Sequence, residues 1–197
     1  MDKLINILKL FHENNYIGED VSQLEHFVLA AQYAEDEYPS DKELIVAAFL
    51  HDIGHQPDCH GKDTMVDENG QNLGVQNHET IGENYLRDMG FSERVCKLVG
   101  NHVKAKRYLA LVNQSYSEKL SHASSKTLAL QGGIMSEYDA ELFKKEKYFD
   151  DSITVRKYDE LSKDITKLKK PLWDLFEHYI NLTRVVLNGQ SSTVNTY

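Results

Sequence analysis

The stretch Asp41–His55, DKELIVAAFLHDIGH, decides how the rest of the chain is read. From Leu44 to Leu50 every residue is apolar, so a helix here is apolar nearly all round and belongs inside a core. It runs without a break into His51-Asp52, and His55 follows three residues later. A core helix that ends in an imidazole beside a carboxylate places chemistry at its tip.

Helical periodicity continues on both sides. Upstream, Leu4, Ile7, Leu8 and Phe11 stand at i, i+3, i+4 and i+7, and Gly18 marks a turn. A second helix is expected over Val21–Tyr33, with Leu24, Val28 and Ala31 on one face. Downstream, Gln56–Gln76 is polar and glycine-bearing, an unstructured loop of a length more often functional than incidental. Asn77 is expected to cap the next helix and Gly90 to stop it. Ser92 opens another helix, and Ser121–Leu130 forms a short one ended by Gly132-Gly133. Ser136 with Asp139 resembles a capping box. Two last helices are expected, around Ile153–Leu168 and Pro171–Leu187, and residues 189–197 are expected to be a frayed tail. The fold class read from this pattern is all-α, one helical bundle over residues 1–188.

Composition agrees with that reading. The 197 residues fit one domain, and 41% are hydrophobic, enough for a core. Three prolines and eleven glycines are too few for a turn-dense β fold. The net charge of −9 disfavours nucleic acid as a partner, since phosphate backbones need Lys/Arg surfaces. The two cysteines, Cys59 and Cys96, make no disulfide framework and fit a reducing compartment. The N-terminal amphipathic segment is too short for a membrane span and has no small-residue cleavage site. The expectation is a cytoplasmic protein with no membrane partner.

Four of the nine histidines fall in or at the ends of different buried-looking helices: His26, His51, His78 and His102. Helical bundles build metal sites from side chains that project inward from facing helices. Nitrogen and oxygen donors without thiolates suit iron, manganese or zinc.

With FLHDIGH in the centre, His26 upstream, His78 in NHETIG and His102 in GNHVKAKRY, the ligand order resembles that of the HD-domain superfamily in its two-metal form. VRKYDELSK resembles the superfamily's closing motif and supplies Asp159; Asp164 and Asp174 lack that flanking match. The resemblance implies that one metal takes His26, His51, Asp52 and Asp159, and the other takes Asp52, His78 and His102. Asp52 bridges, because a carboxylate has two oxygens to offer. Two carboxylates do not neutralise such a metal pair, so the site would be positive inside an acidic protein.

Within the superfamily the chain resembles the mixed-valence di-iron oxygenases that use O2 to cleave 2-amino-1-hydroxyethylphosphonate to glycine and phosphate. The likeness runs from Tyr16 to Asp159 and beyond. It implies two iron ions, an Fe(II)/Fe(III) pair. In YIGEDVSQLEH, Tyr16 would ligate one iron at rest and leave when substrate and O2 bind, and Glu19 would hold the substrate ammonium. His55 would bind the phosphonate or assist at it; Lys106, Ser124 and Gln131 would complete the anion pocket.

HDIGH alone does not separate an oxygenase from a metal-dependent phosphohydrolase acting on a nucleotide or another small phosphate ester, in which a metal-bound hydroxide attacks phosphorus. A non-catalytic sensor would also keep the fold, against which the complete ligand set weighs. Tyr16 is the discriminator, since a hydrolase has no evident need of a removable phenolate.

Overall fold

The computed structural model describes residues 1–13, 16, 20–55 and 63–191. Ten α-helices carry the fold among them, with one small hairpin. Helix α1 (Asp2–Leu10) leads into a 3-10 turn at Phe11–Glu13. Helix α2 (Gln23–Glu37) starts two residues later than the periodicity suggested, because Ser22 caps it. Glu25 N–H donates to Ser22 Oγ (3.2 Å) and Ser22 N–H donates to the Glu25 carboxylate (2.6 Å), a reciprocal capping box.

Helix α3 (Lys42–Leu50) is buried from Leu44 through Leu50, as its unbroken apolar run requires. Asp41 caps it by accepting from Leu44 N–H. Each fully buried Val, Leu, Ile or Phe side chain in such a helix contributes roughly 1.5–3 kcal/mol. The main core joins α1, α2 and α3 to α9 (Phe149–Leu161) and α10 (Leu172–Ser191) and to the buried faces of α4 (His78–Asp88) and α5 (Glu93–Val112). A smaller cluster of Ala105, Met135, Ala140 and Phe143 lies under α8 (Glu137–Phe143).

The stretch expected to be an unstructured loop contains a hairpin instead. Strands β1 (Thr64–Val66) and β2 (Asn72–Val75) pair antiparallel, with Thr64 opposite Val75 and Val66 opposite Asn72. Asp67 organises the turn: its carboxylate accepts from the N–H groups of Asn69 (2.9 Å) and Gln71 (2.8 Å), and Gly70 takes the positive φ of +78°. Residues 56–62, with Cys59 and His60, lie outside the described residues.

Helix α4 (His78–Asp88) follows Asn77, which occupies the capping position without a side-chain cap bond. Its backbone is left-handed (φ 58°), not the extended form in which a cap side chain reaches forward. Gly90 does end the helix: it is left-handed, its N–H donates to Arg87 O, and Phe91 N–H donates to Leu86 O. Helix α5 (Glu93–Val112) begins at its Ser92 cap and ends at Asn113, which in turn caps α6 (Gln114–Lys119), a short polar helix that apolar periodicity does not announce.

Helix α7 (His122–Leu130) is capped by Ser121. Helix α9 (Phe149–Leu161) ends earlier than Leu168. The chain leaves it at Ser162, whose hydroxyl donates to Tyr158 O and whose carbonyl turns to His26. A 3-10 turn at Ile165–Lys167 follows. Helix α10 (Leu172–Ser191) runs into the stretch expected to fray. Among the described residues no helix is long and apolar enough to cross a membrane.

Candidate metal centre and anion pocket

Four helices aim imidazoles at one point. His26 comes from α2, His51 from the C-cap of α3, His78 from the first turn of α4 and His102 from the middle of α5. All four are buried, as are Asp52 and Asp159. Close packing of α2 on α3, of α4 and α9 on α5, and of α9 on α2 holds these side chains together.

Hydrogen bonding fixes how each imidazole faces. His26 Nδ1 lies 2.9 Å from Ser162 O, His51 Nδ1 2.8 Å from Ala48 O, His78 Nδ1 3.2 Å from Val75 O and His102 Nδ1 2.7 Å from Val99 O. A carbonyl only accepts, so every Nδ1 carries the hydrogen and every neutral Nε2 carries a lone pair. These lone pairs point at one another: His26 Nε2 is 3.1 Å from His51 Nε2, and His78 Nε2 is 3.0 Å from His102 Nε2.

Asp52 lies between the two pairs. Its Oδ2 is 3.5 Å from His51 Nε2 and 3.9 Å from His26 Nε2. Its Oδ1 is 3.3 Å from both His78 Nε2 and His102 Nε2. Asp159 joins the first pair, with Oδ1 3.5 Å from His26 Nε2 and 3.9 Å from His51 Nε2. That Oδ1 is buried and has no hydrogen-bond partner. An orphaned carboxylate oxygen beside four unshared imidazole lone pairs is a donor set that fits cations. The residues divide into His26, His51, Asp52 and Asp159 on one side and Asp52, His78 and His102 on the other, two groups that can each hold a metal ion.

The electrostatics hold His51 and the two carboxylates in ligand form, while at His102 burial is outweighed by the neighbouring Asp52 and the imidazole is raised. Burial pushes His51 down to about 4, so it stays neutral. Burial opposes ionisation of Asp52, yet the surrounding imidazoles of His51, His102 and His78 outweigh it and hold its carboxyl well below the usual carboxylate range. Asp159 behaves alike: burial raises it, and Arg156 with His26 and His51 lowers it further.

His55 is built the opposite way. Val75 N–H donates to its Nδ1 at 3.1 Å, so a neutral ring carries its hydrogen on Nε2. Burial and the neighbouring His78 push it down to about 3, which keeps it neutral. Its ring stacks on His78, with centroids 4.0 Å apart and planes 16° from parallel. By atom positions His55 could close a triad with Asp52 and His78. The bond from Val75 speaks against it, since Nε2 is a donor 3.9 Å from Asp52 Oδ1. Val75 thus sets both neighbours through its backbone: its carbonyl leaves His78 a lone pair at Nε2 and its N–H makes His55 a hydrogen-bond donor at Nε2.

The centre opens on a small cavity of about 50 Å³. Tyr16, His55, Lys106, Ser124 and Gln131 line it together with Asp52, His78, His102 and Asp159. Tyr16 stacks on His26 (centroids 4.0 Å, planes 20° apart). Lys106 is buried and donates to Thr127 Oγ1 (2.7 Å) and Gln131 Oε1 (3.1 Å). Two of its three hydrogens are thereby placed and one remains. Burial first, and the charge of Arg156 next, push this lysine well below its ordinary value. Glu19 lies outside the described residues.

Sequence reasoning missed Arg156, Thr127 and the hairpin residues Met65 and Leu73 of this site. Arg156 lines the cavity, donates from Nε to Tyr116 O–H (2.9 Å), and pairs with Asp159 and Glu160. Thr127 positions Lys106. The hairpin contributes Met65 and Leu73 as an apolar wall and is tied to α7 by Asp67 and Lys126, whose charged atoms are 2.5 Å apart.

The chain belongs to the HD-domain family, whose family model matches residues 23–150. Three relatives extend the comparison. Uncharacterized protein L432 of Acanthamoeba polyphaga mimivirus is 38% identical over 98% of this chain and 84% of its own length. Hydroxymethylphosphonate dioxygenase of Gimesia maris is 36% identical over 85% of this chain and 79% of its own. [1-Hydroxy-2-(trimethylamino)ethyl]phosphonate dioxygenase (glycine-betaine-forming) of Leisingera caerulea is 36% identical over 77% of this chain and 74% of its own.

Proposed function

We propose that the protein is an O2-dependent di-iron oxygenase that cleaves the C–P bond of a small 1-hydroxyphosphonate, releasing phosphate and oxidising the hydroxyl-bearing carbon to a carboxylate. The observation that carries this reading is the pairing of a two-part donor set, joined by Asp52, with a cavity lined by anion donors. Two relatives are named for oxidation of 1-hydroxyphosphonates. Iron ions held by the six residues would supply the one-electron and O2 chemistry.

The chain's own residues bind and orient the substrate. Lys106, the Ser124 hydroxyl and the Nε2–H of His55 all suit phosphonate oxygens, and charge-assisted bonds of this kind are the strong ones. The 50 Å³ cavity suits a ligand of a few heavy atoms beside the metals, whereas a nucleotide needs several hundred Å³. Tyr16, stacked on His26 at the cavity wall, is in reach of the centre as a phenolate that could leave it. Glu19, if it holds an ammonium, favours 2-amino-1-hydroxyethylphosphonate over a trimethylated analogue, which prefers an aromatic cage.

The test is anaerobic purification with metal analysis, then O2 uptake with hydroxymethylphosphonate, 2-amino-1-hydroxyethylphosphonate and its trimethylated analogue. Iron at two ions per chain and phosphate release matched to O2 consumed support the reading. A protein that hydrolyses phosphate esters without O2 is instead the phosphohydrolase.

A further inference from the structure

Beyond α9 the chain carries Lys163, the last residue of VRKYDELSK, and its ammonium sits at the start of α7. Its Nζ is 3.0 Å from Ser124 Oγ, 3.2 Å from Ser121 Oγ and 3.3 Å from Glu160 Oε2. We propose that Lys163 is a positioning residue of the anion pocket: it holds Ser124 Oγ as an acceptor, so that the Ser124 hydroxyl hydrogen turns into the cavity toward a phosphonate oxygen.

An ammonium has only donors, so both serine oxygens must accept from it. Ser121 Oγ also accepts from Ser124 N–H at 3.2 Å, which fixes Ser124 in the first turn of α7. Ser124 is buried and lines the cavity. With an oxygen lone pair committed to Lys163, its single hydrogen is free to face the cavity. A cation at a helix N-terminus opposes the helix dipole, and the Arg156 guanidinium adds a like charge nearby. Glu160 lies between Lys163 and Arg156 and pairs with both, which keeps the two cations in place before any anion arrives. An arrangement unfavourable in itself is relieved when an anion enters.

The inference rests on the anion-pocket reading above, and its test separates the two. The iron-loaded protein is titrated anaerobically with inorganic phosphate in the parent, Lys163→Gln, Ser124→Ala and the double variant, with thermal midpoints in parallel. Each single change weakens phosphate binding by about tenfold, and the double variant is no weaker than about twofold beyond either, because both changes remove one interaction. The thermal midpoint of Lys163→Gln stays at that of the parent. On turnover, Lys163→Gln raises KM for the hydroxyphosphonate and leaves kcat. An unchanged phosphate affinity in Lys163→Gln overturns the proposal, and so do fully multiplicative losses, which would mean that Lys163 acts by its field without Ser124. Phosphate binding needs no turnover, so a protein that consumes no O2 sinks the oxygenase reading and leaves this measurement intact.

Discussion

His26 Nε2 and His51 Nε2 lie 3.1 Å apart, and neither nitrogen has a hydrogen to share, because each ring has given its Nδ1–H to a carbonyl. Two lone pairs at that distance repel unless a cation stands between or beside them. The same holds for His78 and His102 at 3.0 Å. Metal removal should therefore destabilise the fold and not merely silence it. Dialysis against a chelator is expected to lower the thermal midpoint, and reloading to restore it; at a hundredfold excess over Kd the gain is about 2.7 kcal/mol per site. His26→Ala is expected to empty one group and His78→Ala the other, each leaving about one ion per chain by elemental analysis. A thermal midpoint indifferent to chelation would mean that protonation relieves the pairs.

His55 should behave unlike its neighbours. Its Nδ1 accepts from Val75 N–H, so its Nε2 is a donor and not a ligand. His55→Ala is expected to keep full metal content and to raise the Kd for a phosphonate by about tenfold, the worth of one hydrogen bond to a charged group. Loss of a metal ion in this variant would instead place His55 in the triad that its position alone allows.

Lys106 makes anion binding depend on pH. Burial and Arg156 depress it in the free protein, and a bound anion favours its charged form and raises it again. Above the depressed value the free protein holds Lys106 neutral, so binding must take up a proton and affinity falls as pH rises, by at most about tenfold per unit. Below that value the dependence vanishes. Sulfate, with constant charge over the range, is the probe, and calorimetry in buffers of different ionisation enthalpy counts the proton. Lys106→Met should bind sulfate weakly with no proton uptake. A parent protein that binds without uptake at pH values between those of free and bound Lys106 contradicts the assignment.

The imidazoles could be found in the sequence because each sits at a position that helical periodicity buries, and because three of the four bond the carbonyl three residues before them, a local contact that needs no distant partner. Asp159 was legible only through its flanks. Arg156 was not: three residues before Asp159, among charged neighbours, an arginine reads as a solvated face, and its burial is decided by α6, whose Tyr116 receives it. Lys163 escaped for the same reason. The hairpin escaped because its strands are three and four residues long and hold Gly74 and Asn72, so strand propensity is weak; the pairing is set by the turn at Asp67 and by the contact of Asp67 with Lys126. The early end of α9 depends on Ser162 O accepting from His26, a contact 136 residues away in the chain.

Gly54 tests whether the motif's glycine serves packing or chemistry. It lies in the 3-10 turn Ile53–His55 between the HD pair and His55. A Cβ built there would stand 1.9 Å from His78 O and 2.7 Å from Gly82 N, both backbone atoms of α4 that no side-chain rotation can move aside. The turn and α4 must approach this closely for Asp52 Oδ1 to reach His78 Nε2 at 3.3 Å. Gly54→Ala is therefore expected to push α4 away and cost about 3 kcal/mol, the upper range for overpacking. The group containing His78 and His102 should lose its ion first, while His26, His51 and Asp159 keep theirs. Gly82→Ala is the milder comparison, because its nearest neighbours are the Val99 and Ile53 methyl groups at 3.1 and 3.2 Å, which can give by a few tenths of an ångström. Urea unfolding with elemental analysis reads both variants. A Gly54→Ala protein as stable as the parent, with two ions bound, would show that the contact between this turn and α4 is looser than the structure has it.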